Sequence, residues 1–562
     1  MVKETKELDE HDSKVNDVTE VLEKLGKYQF IQFTLLCLPT LFITMININY
    51  IFTAGDLNYR CRIPECEDSN ANFVAAWWPN ASIDRCSKPL LKADFIPGSG
   101  CSNESFSGAL ETCQEWVYET NNTVIAELDL ACRPWLSNLI GTIHSAGMLI
   151  SMIVGGWMSD RFGRKPTLIF SAVNGWIGQL KTFATSYYLY VTIEFCEAAV
   201  TAASYSAIMM LMMEMCGKKN RIISGIVFAY ATYLGESLFA IIGMNVSYWK
   251  TLIHIINGPS ILFLCYIFLL KESPRWQIIS GSTKRAKKTL LKISHMNNIN
   301  IDRQELTNLD EVALKNKFNI SAKEKREGLR KVLKSREIMK RVLVAVVCRF
   351  TVSFVYYGLM INSVFLPGNK YTNFLLATVM SFPGELLSLY LMNKIGRKMP
   401  LLVGFLISGG LCVATGYVPA TYTWAKILLF LLGKMMISVC FTGVITYVME
   451  LFPTSARGSL LGFVAFASRV GGMLAPLTPV LSSISEALPS ILFGSFTLLS
   501  AILLTLTPET KDLPLMDTIR QVEESVRTAM KNQAKPLMKE QQEVDAEMDV
   551  KDALMPLKEL RK

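Results

Sequence analysis

The chain has 562 residues, of which 51% are hydrophobic and 19% charged, with a formal net charge of +9. A soluble protein of this length divides into several domains, each with a charged skin. Here the apolar residues instead gather into long blocks of roughly 20, each able to cross a hydrocarbon core about 30 Å thick as a helix. A soluble enzyme and a nucleic-acid binder are excluded, and a lipid bilayer is implied as the first partner.

Taken in chain order, residues 1–27 are polar and mixed in charge, with no apolar stretch that a signal peptidase would release. The first block, 28–53, is therefore expected to act as an uncleaved anchor with a cytoplasmic N-terminus. The segment 54–133 carries six basic and twelve acidic residues and six of the thirteen cysteines: Cys61, Cys66, Cys86, Cys101, Cys113 and Cys132. An even cluster of this kind predicts three disulfides in an oxidising space, with fifteen pairings open. The segment also holds three glycosylation triplets, Asn80-Ala81-Ser82, Asn103-Glu104-Ser105 and Asn121-Asn122-Thr123, with Asn80, Asn103, Asn121 and also Asn122 as expected acceptors, so it is expected to be extracellular.

Further apolar blocks fall near 135–157, 166–184, 187–212, 222–244 and 249–270. A basic linker follows over 271–340, with runs such as Lys284-Arg285-Ala286-Lys287-Lys288, and basic loops favour the cytoplasmic side. Six more blocks lie near 341–362, 371–392, 400–418, 424–448, 459–482 and 486–507, and a charged tail over 508–562 is assigned to the cytoplasm. The predicted fold is an all-α polytopic membrane protein of twelve transmembrane helices in two pseudo-symmetric six-helix bundles, 28–270 and 341–507.

The two halves repeat. Gly163 within Ser159-Asp160-Arg161-Phe162-Gly163-Arg164-Lys165 matches Gly396 within Asn393-Lys394-Ile395-Gly396-Arg397-Lys398, 233 residues later. Glu214 matches Glu450 and Arg221 matches Arg457, both at 236 residues. A duplicated helical unit of this kind is how many secondary carriers are built. Asp160, Arg164, Glu214 and Arg221, with Arg397, Glu450 and Arg457 as counterparts, are predicted to form charge clusters gating the cytoplasmic mouth.

The loop from Gly156 to Lys165 resembles the signature between the second and third helices of the major facilitator superfamily. Glu272-Ser273-Pro274-Arg275-Trp276, Glu450-Leu451-Phe452-Pro453-Thr454 with Arg457-Gly458, and Pro508-Glu509-Thr510-Lys511 narrow the resemblance, together with the long cysteine-bearing first loop. Together they resemble the organic cation, anion and zwitterion transporters of the solute carrier 22 type over nearly the whole chain. Arg60-Cys61-Arg62-Ile63-Pro64 and Glu194-Phe195 resemble the invertebrate members in particular. The resemblance implies a plasma-membrane carrier of small organic ions working by alternating access.

Ionisable residues inside apolar spans are expensive unless paired or facing a watery cavity, which makes them site candidates. Glu194 and Glu197 share a helical stripe with Tyr190, Thr201 and Tyr205; Glu236 lies one turn after Tyr233; Glu385 follows Pro383-Gly384. Lys181, Arg349, Lys434 and Arg469 are the basic counterparts, Arg349 shares a stripe with Ser353 and Tyr356, and His144 stands alone in the second span. In the resembled family the position of Arg469 carries an acid in cation carriers and Arg in anion and carnitine-type carriers, which implies a substrate carboxylate gripped by the planar guanidinium. Glu385 occupies a neighbourhood where the anion carriers have a basic residue, and that departure weighs against a pure anion carrier. One Arg beside spare carboxylates favours a zwitterion or amine-bearing amino-acid derivative, with Tyr205, Tyr230, Tyr233, Tyr356 and Tyr357 as candidate aromatic walls, Tyr356 foremost. A pure organic-anion carrier and a non-transporting receptor are the rivals. No phosphate-cradling loop, metal-ligand spacing or nucleophile–base pair is found, so no enzymatic activity, cofactor or metal is expected.

Overall fold

The computed structural model describes residues 21–67, 71–78, 85–92, 95, 101–217, 220–299, 303–318, 334–419, 421–511, 516, 518–525 and 527. Twelve rods form the body. In the N-terminal half they are α1 (Lys27–Ile48, continued by Tyr50–Thr53), α2 (Pro134–Phe162), α3 (Arg164–Asn174, continued as 3-10 helix Gly175–Phe183), α4 (Tyr187–Glu214), α5 (Arg221–Asn245) and α6 (Trp249–Asn257, continued irregularly to Leu269). In the C-terminal half they are α7 (Arg336–Asn362), α8 (Lys370–Val379 and Ser381–Lys394), α9 (Lys398–Tyr417), α10 (Thr423–Leu451), α11 (Thr454–Leu474, continued to Leu481) and α12 (Leu488–Leu504). Among the described residues, ten of these rods are long and apolar enough to cross a membrane; α3, which breaks midway, and the shorter α12 fall outside that criterion.

Local sequence explains the ends and breaks. Pro134 opens α2 at a position where a missing N–H costs nothing. Ser186 caps α4 by accepting from the Leu189 N–H at 3.4 Å. In α8 the ring of Pro383 excludes the carbonyl four residues back, Val379, where the first piece of the helix ends. In α11 the helix stays regular through Arg469 and Gly471-Gly472, and it tightens only at Ala475–Leu477, around Pro476. Gly471 is required for a different reason: a Cβ there would lie 2.5 Å from the Phe350 carbonyl oxygen of α7.

The segment before α2 is not featureless loop. β1 (Tyr59–Cys61) pairs antiparallel with β4 (Trp116–Tyr118), and β2 (Ser87–Leu91) with β3 (Phe106–Thr112). The cysteines pair as Cys61–Cys113, Cys66–Cys101 and Cys86–Cys132, with Cα separations of 5.5–5.6 Å. These crosslinks pin both ribbons, and their side of the molecule is called here the cystine face. Arg60 is held there by the carbonyls of Phe73 and Cys61, by Glu67, and by the rings of Trp77 and Trp78. Asn103 and Asn121 are exposed, whereas Asn80 lies outside the described residues. Asn122, expected as a further acceptor, is excluded because Val124 puts no hydroxyl two residues on.

At the opposite, linker face the repeat is visible in atoms. Gly163 (φ 113°) and Gly396 (φ 139°) turn the chain between α2 and α3 and between α8 and α9. A carboxylate from after the last rod of each half meets the new helix start. Glu272 accepts from the Lys165 N–H at 3.1 Å, and Glu509 accepts from the Arg397 and Lys398 N–H groups at 2.9 Å. Burial acts to raise the Glu509 carboxyl, but the N–H groups of Lys511, Arg397, Lys398 and Thr510 outweigh it and hold it below the usual range. At Glu272 burial prevails and pushes the carboxyl up, against donors from Ser273 and Lys165.

The halves meet through α5 against α8 and α2 against α11. Near the cystine face Phe52, Phe239, Tyr371 and Phe374 form an aromatic seal, with Phe52 4.8 Å from both Phe239 and Tyr371 and 5.1 Å from Phe374. Deeper, Ser237 meets Thr378 at 3.2 Å, and Tyr230 stacks obliquely on Phe382 at 5.3 Å. Gly141 of α2 sits against Tyr50 and Pro476. The interlocking therefore runs from the cystine face to the middle of the bundle.

A Gly471→Leu substitution tests the α7–α11 contact. Overpacking of a tight helix crossing costs about 1–3 kcal/mol, so the melting temperature of the detergent-purified protein should fall by several degrees. An unchanged melting temperature would show that the two helices are not packed as described.

Candidate functional site

Two groups of ionisable side chains lie at membrane depth, and they are built in opposite ways. The first is closed within the N-terminal half. The Lys181 ammonium donates to Glu194 at 2.8 Å and to Glu197 at 2.5 Å. His144 Nδ1 lies 2.7 Å from Glu194 Oε1, and Asn257 Nδ2 donates to Glu197 Oε1 and, at 2.7 Å, to the Gly175 carbonyl. Lys181, His144, Glu194, Glu197 and Asn257 have no exposed surface. The break in α3 serves this arrangement, since a Cβ on Gly178 would overlap Glu197 and Asn257.

One expectation is corrected here. Glu194 and Glu197 were expected to look into a substrate passage; they turn instead toward α3 and α6, where Lys181 and Asn257 occupy their oxygens. His144, read from the sequence as the lone buried histidine of the second span, contacts Glu194. Spacing along α4 placed the two glutamates on one stripe but could not say which neighbouring helix that stripe faces.

The second group lies where the halves meet. Tyr233 of α5 donates to Glu385 Oε2 at 3.2 Å across the interface, and Thr442 of α10 donates to the same oxygen at 2.5 Å. Lys434 of α10 places its ammonium 3.0 Å above the ring centroid of Tyr356 and donates to the Tyr356 carbonyl at 3.1 Å. The Tyr356 hydroxyl meets Ser381 at 3.3 Å, and Ser353 bonds Ser468. Glu236 of α5 is buried with Oε2 unpartnered, and it and Lys434 feel each other's charge across the interface.

Arg349 and Arg469 complete this second group. Arg349 lies 5.5 Å from the Phe441 ring centroid and reaches the Phe441 carbonyl only at 3.5 Å. Arg469 is half-buried, within electrostatic reach of Arg349 and Tyr357. Neither guanidinium forms an ion pair with a described carboxylate, so each keeps donors for an anion. The structure thus brings together Glu236, Glu385, Tyr233, Tyr356, Arg349 and Arg469 of the residues expected at a substrate site. Lys434 was legible as an intramembrane charge and Tyr357 as an aromatic wall; Thr442 and Phe441 gave no signal beyond apolar or mildly polar helix. Nor did the sequence reveal a recess of about 360 Å³ above the aromatic seal, lined by Asp56, Glu119, Asn122, Lys370 and Tyr371 among others.

The charge clusters at the linker face form, with two corrections. Arg164 bonds Glu214 and Asp160, both at 3.2 Å, and Arg397 bonds Glu450 at 3.2 Å. In each repeat the arginine also donates to the carbonyl five residues before it, Ser159 or Met392, at 2.8 Å. Each cluster thus ties helices of one half, rather than clasping one half to the other. Arg457 bonds the Phe452 carbonyl at 3.0 Å instead of joining Glu450, and the Nε of Arg221 is buried with no partner.

Two six-rod halves with paired and unpaired charges between them define a polytopic membrane carrier. The comparisons place it further. Residues 103–521 match the family model "Sugar (and other) transporter", and the chain belongs to that family of membrane transporters. It is 29% identical to "Organic cation transporter protein" of Drosophila melanogaster over 90% of this chain and 93% of that one. It is 27% identical to "Organic anion transporter 3" of Sus scrofa, over 89% and 91% respectively. Its fold resembles the partially occluded inward open xylose transporter XylE of E. coli, with a TM-score of 0.58 and 17% identity over 87% of this chain and 100% of that one.

Lys181 offers the test of the closed cluster. Lys181→Met leaves two enclosed carboxylates without their cation, and losing one partner of a buried pair costs about 3–5 kcal/mol. The variant should be retained inside expressing cells, and Lys181→Met with Glu197→Gln should recover much of the surface amount. Wild-type surface delivery of the single variant would show that the cluster is not enclosed.

Proposed function

We propose that the protein is a secondary or facilitative carrier of small charged organic solutes, zwitterions or amine-bearing amino-acid derivatives foremost, working by alternating access. One observation carries the reading: two guanidiniums, Arg349 and Arg469, stand at the junction of the halves without a carboxylate partner, facing a region that also holds Glu236 with an unpartnered oxygen. Unpaired charges at membrane depth are retained where a solute or water completes them. A carboxylate docks between the two guanidiniums, which match it with parallel hydrogen bonds. The ammonium of the same solute then lies toward Glu236 and Glu385, with Tyr356, Tyr357 and Phe441 as walls.

The names of the relatives support an organic-ion substrate and include both cation and anion transporters. A pure anion carrier is the second reading, favoured by the same guanidinium pair. The two differ at Glu236, which an anion carrier does not need. The plasma membrane is the proposed location. Its cystine face points outward, where disulfides and the exposed Asn103 and Asn121 belong, and both termini and the linker face the cytoplasm.

The test is uptake of labelled carnitine-like zwitterions, β-amino acids, biogenic amines and aromatic carboxylates by expressing cells, normalised to surface amount. A charged hydrogen bond contributes about 1.5–3 kcal/mol, so Arg469→Ala should weaken carboxylate-bearing solutes by roughly 10- to 100-fold. Glu236→Gln should do the same for amine-bearing ones. An Arg469→Ala protein that carries carboxylates with unchanged KM ends the reading, and indifference to Glu236→Gln decides for the anion carrier.

A further inference from the structure

We propose that the enclosed cluster of His144, Lys181, Glu194 and Glu197 is a proton-binding site filled from the outer, cystine face. That the proton then couples to solute movement rests on the carrier reading above; the binding site does not.

Charge balance makes the first part of the argument. The cluster holds two carboxylates and one ammonium, all fully buried, with both carboxylates within hydrogen-bond reach of the ammonium. With a neutral imidazole it sums to one negative charge in a region of low dielectric, which is unfavourable without a compensating cation. Nitrogen geometry makes the second. Glu194 already takes the Lys181 ammonium at Oε2, and its Oε1 lies 2.7 Å from His144 Nδ1. A carboxylate only accepts, so Nδ1 carries the hydrogen and the lone pair is on Nε2. Nε2 is buried and has no hydrogen-bond partner. A proton delivered by water adds to that lone pair, breaks no bond in the protein, and takes the cluster from −1 to zero.

The surroundings of His144 define the route. The elements packed on α2 bring Tyr190, Glu194 and Glu197 from α4, Lys181 from α3 and Tyr50 from the end of α1, whose ring centroid is 5.6 Å from the imidazole. Arg164 and Lys165 of α3 and Arg457 of α11 lie far off at the linker end. From α11 and its continuation to Leu481, Arg469 is the only titratable side chain at membrane depth. One turn from His144 on the same helix, Gly141 packs so tightly on Tyr50 and Pro476 that a Cβ would stand 2.6 Å and 2.8 Å from them. Parting of α2 from α11 at the cystine face, as alternating access requires, withdraws Pro476 from Gly141 and opens the side of Tyr50, the ring beside His144, toward the outside. Arg469 supplies the link to solute. Arg469 stands on α11, which packs on α2, so a carboxylate held there removes positive charge from that neighbour and favours the proton, and by reciprocity the proton favours the carboxylate.

The chain has only four histidines, so the imidazole can be watched directly in the full-length protein. Solid-state nitrogen-15 spectra of histidine-labelled protein in vesicles should contain one resonance, absent in His144→Gln, that moves between about pH 8 and about pH 5. In Glu197→Gln the cluster is neutral without a proton, and that resonance should move only at the acid end. A His144 resonance constant across the range overturns the proposal. In the uptake assay, acidifying the outside from about pH 7.5 to about pH 6 should raise the initial rate at least about threefold. His144→Gln at equal surface amount should abolish that rise. Saturable uptake that ignores outside pH overturns the coupling of the proton to solute and leaves the carrier standing. If no solute in the panel is carried, the carrier reading falls, and the spectra still decide the site.

Discussion

The central constraint is the cost of an ionised side chain away from water, and the two halves meet it differently. In the cluster enclosed by α2, α3, α4 and α6 every strong charge is answered on the spot: Lys181 by Glu194 and Glu197, Glu194 by His144, Glu197 by Asn257. The structure bends to achieve it, since α3 gives up α-helical geometry at Gly175 and keeps glycine at 178 to admit these groups. At the junction with the C-terminal half the charges are left partly unanswered. Lys434 rests on an aromatic face and a carbonyl, Glu236 keeps a bare oxygen, and Arg349 and Arg469 have no carboxylate partner among the described residues. Such incompleteness is tolerable only where something else completes it, which is why the functional reading falls on the junction.

Much of the architecture was legible because a membrane reduces the available structures to a few. Block length located the rods, composition located the cystine domain, and the offsets of Gly163, Glu214 and Arg221 located the repeat. The pairing of the six cysteines was not legible, because it depends on two small ribbons whose strands are three to seven residues long. The site was half legible. Rarity of charge in apolar helix pointed to Glu236, Glu385, Arg349 and Arg469, but the same rule pointed equally to Glu194 and Glu197. Periodicity fixes which residues share a face and leaves open which helix that face meets. Only the placement of α3 and α6 separates a solute site from an internal ion cluster.

The linker face carries the same lesson at smaller scale. Sequence placed Asp160, Arg164 and Glu214 in one cluster and Arg397 and Glu450 in another, and both form. Their direction was the missing fact, since each arginine ties α2 to α4 or α8 to α10 inside a single half, anchored by the carbonyl five residues earlier. Glu272 and Glu509 add a second tie by seating on the backbone N–H groups that open α3 and α9. These devices stiffen each bundle at its end. A stiff bundle can tilt as a body, whereas a loose one would absorb motion helix by helix.

Stiff halves move the burden of gating to the contacts between them, and those contacts differ in kind along the axis. At the cystine face the seal of Phe52, Phe239, Tyr371 and Phe374 is apolar and non-directional, so it closes without a unique geometry and opens without stranding a charge. At mid-depth the joins are single polar contacts, Ser237 to Thr378 and Tyr233 to Glu385. Each is worth only about 1 kcal/mol net, comparable to what a bound solute can supply by taking over the same atoms. In the proposed reading, a solute that engages Glu385 competes with Tyr233 for an oxygen and so loosens the join between α5 and α8. Binding and the release of one half from the other are, in that reading, the same event, which is the property a carrier needs and a rigid receptor lacks.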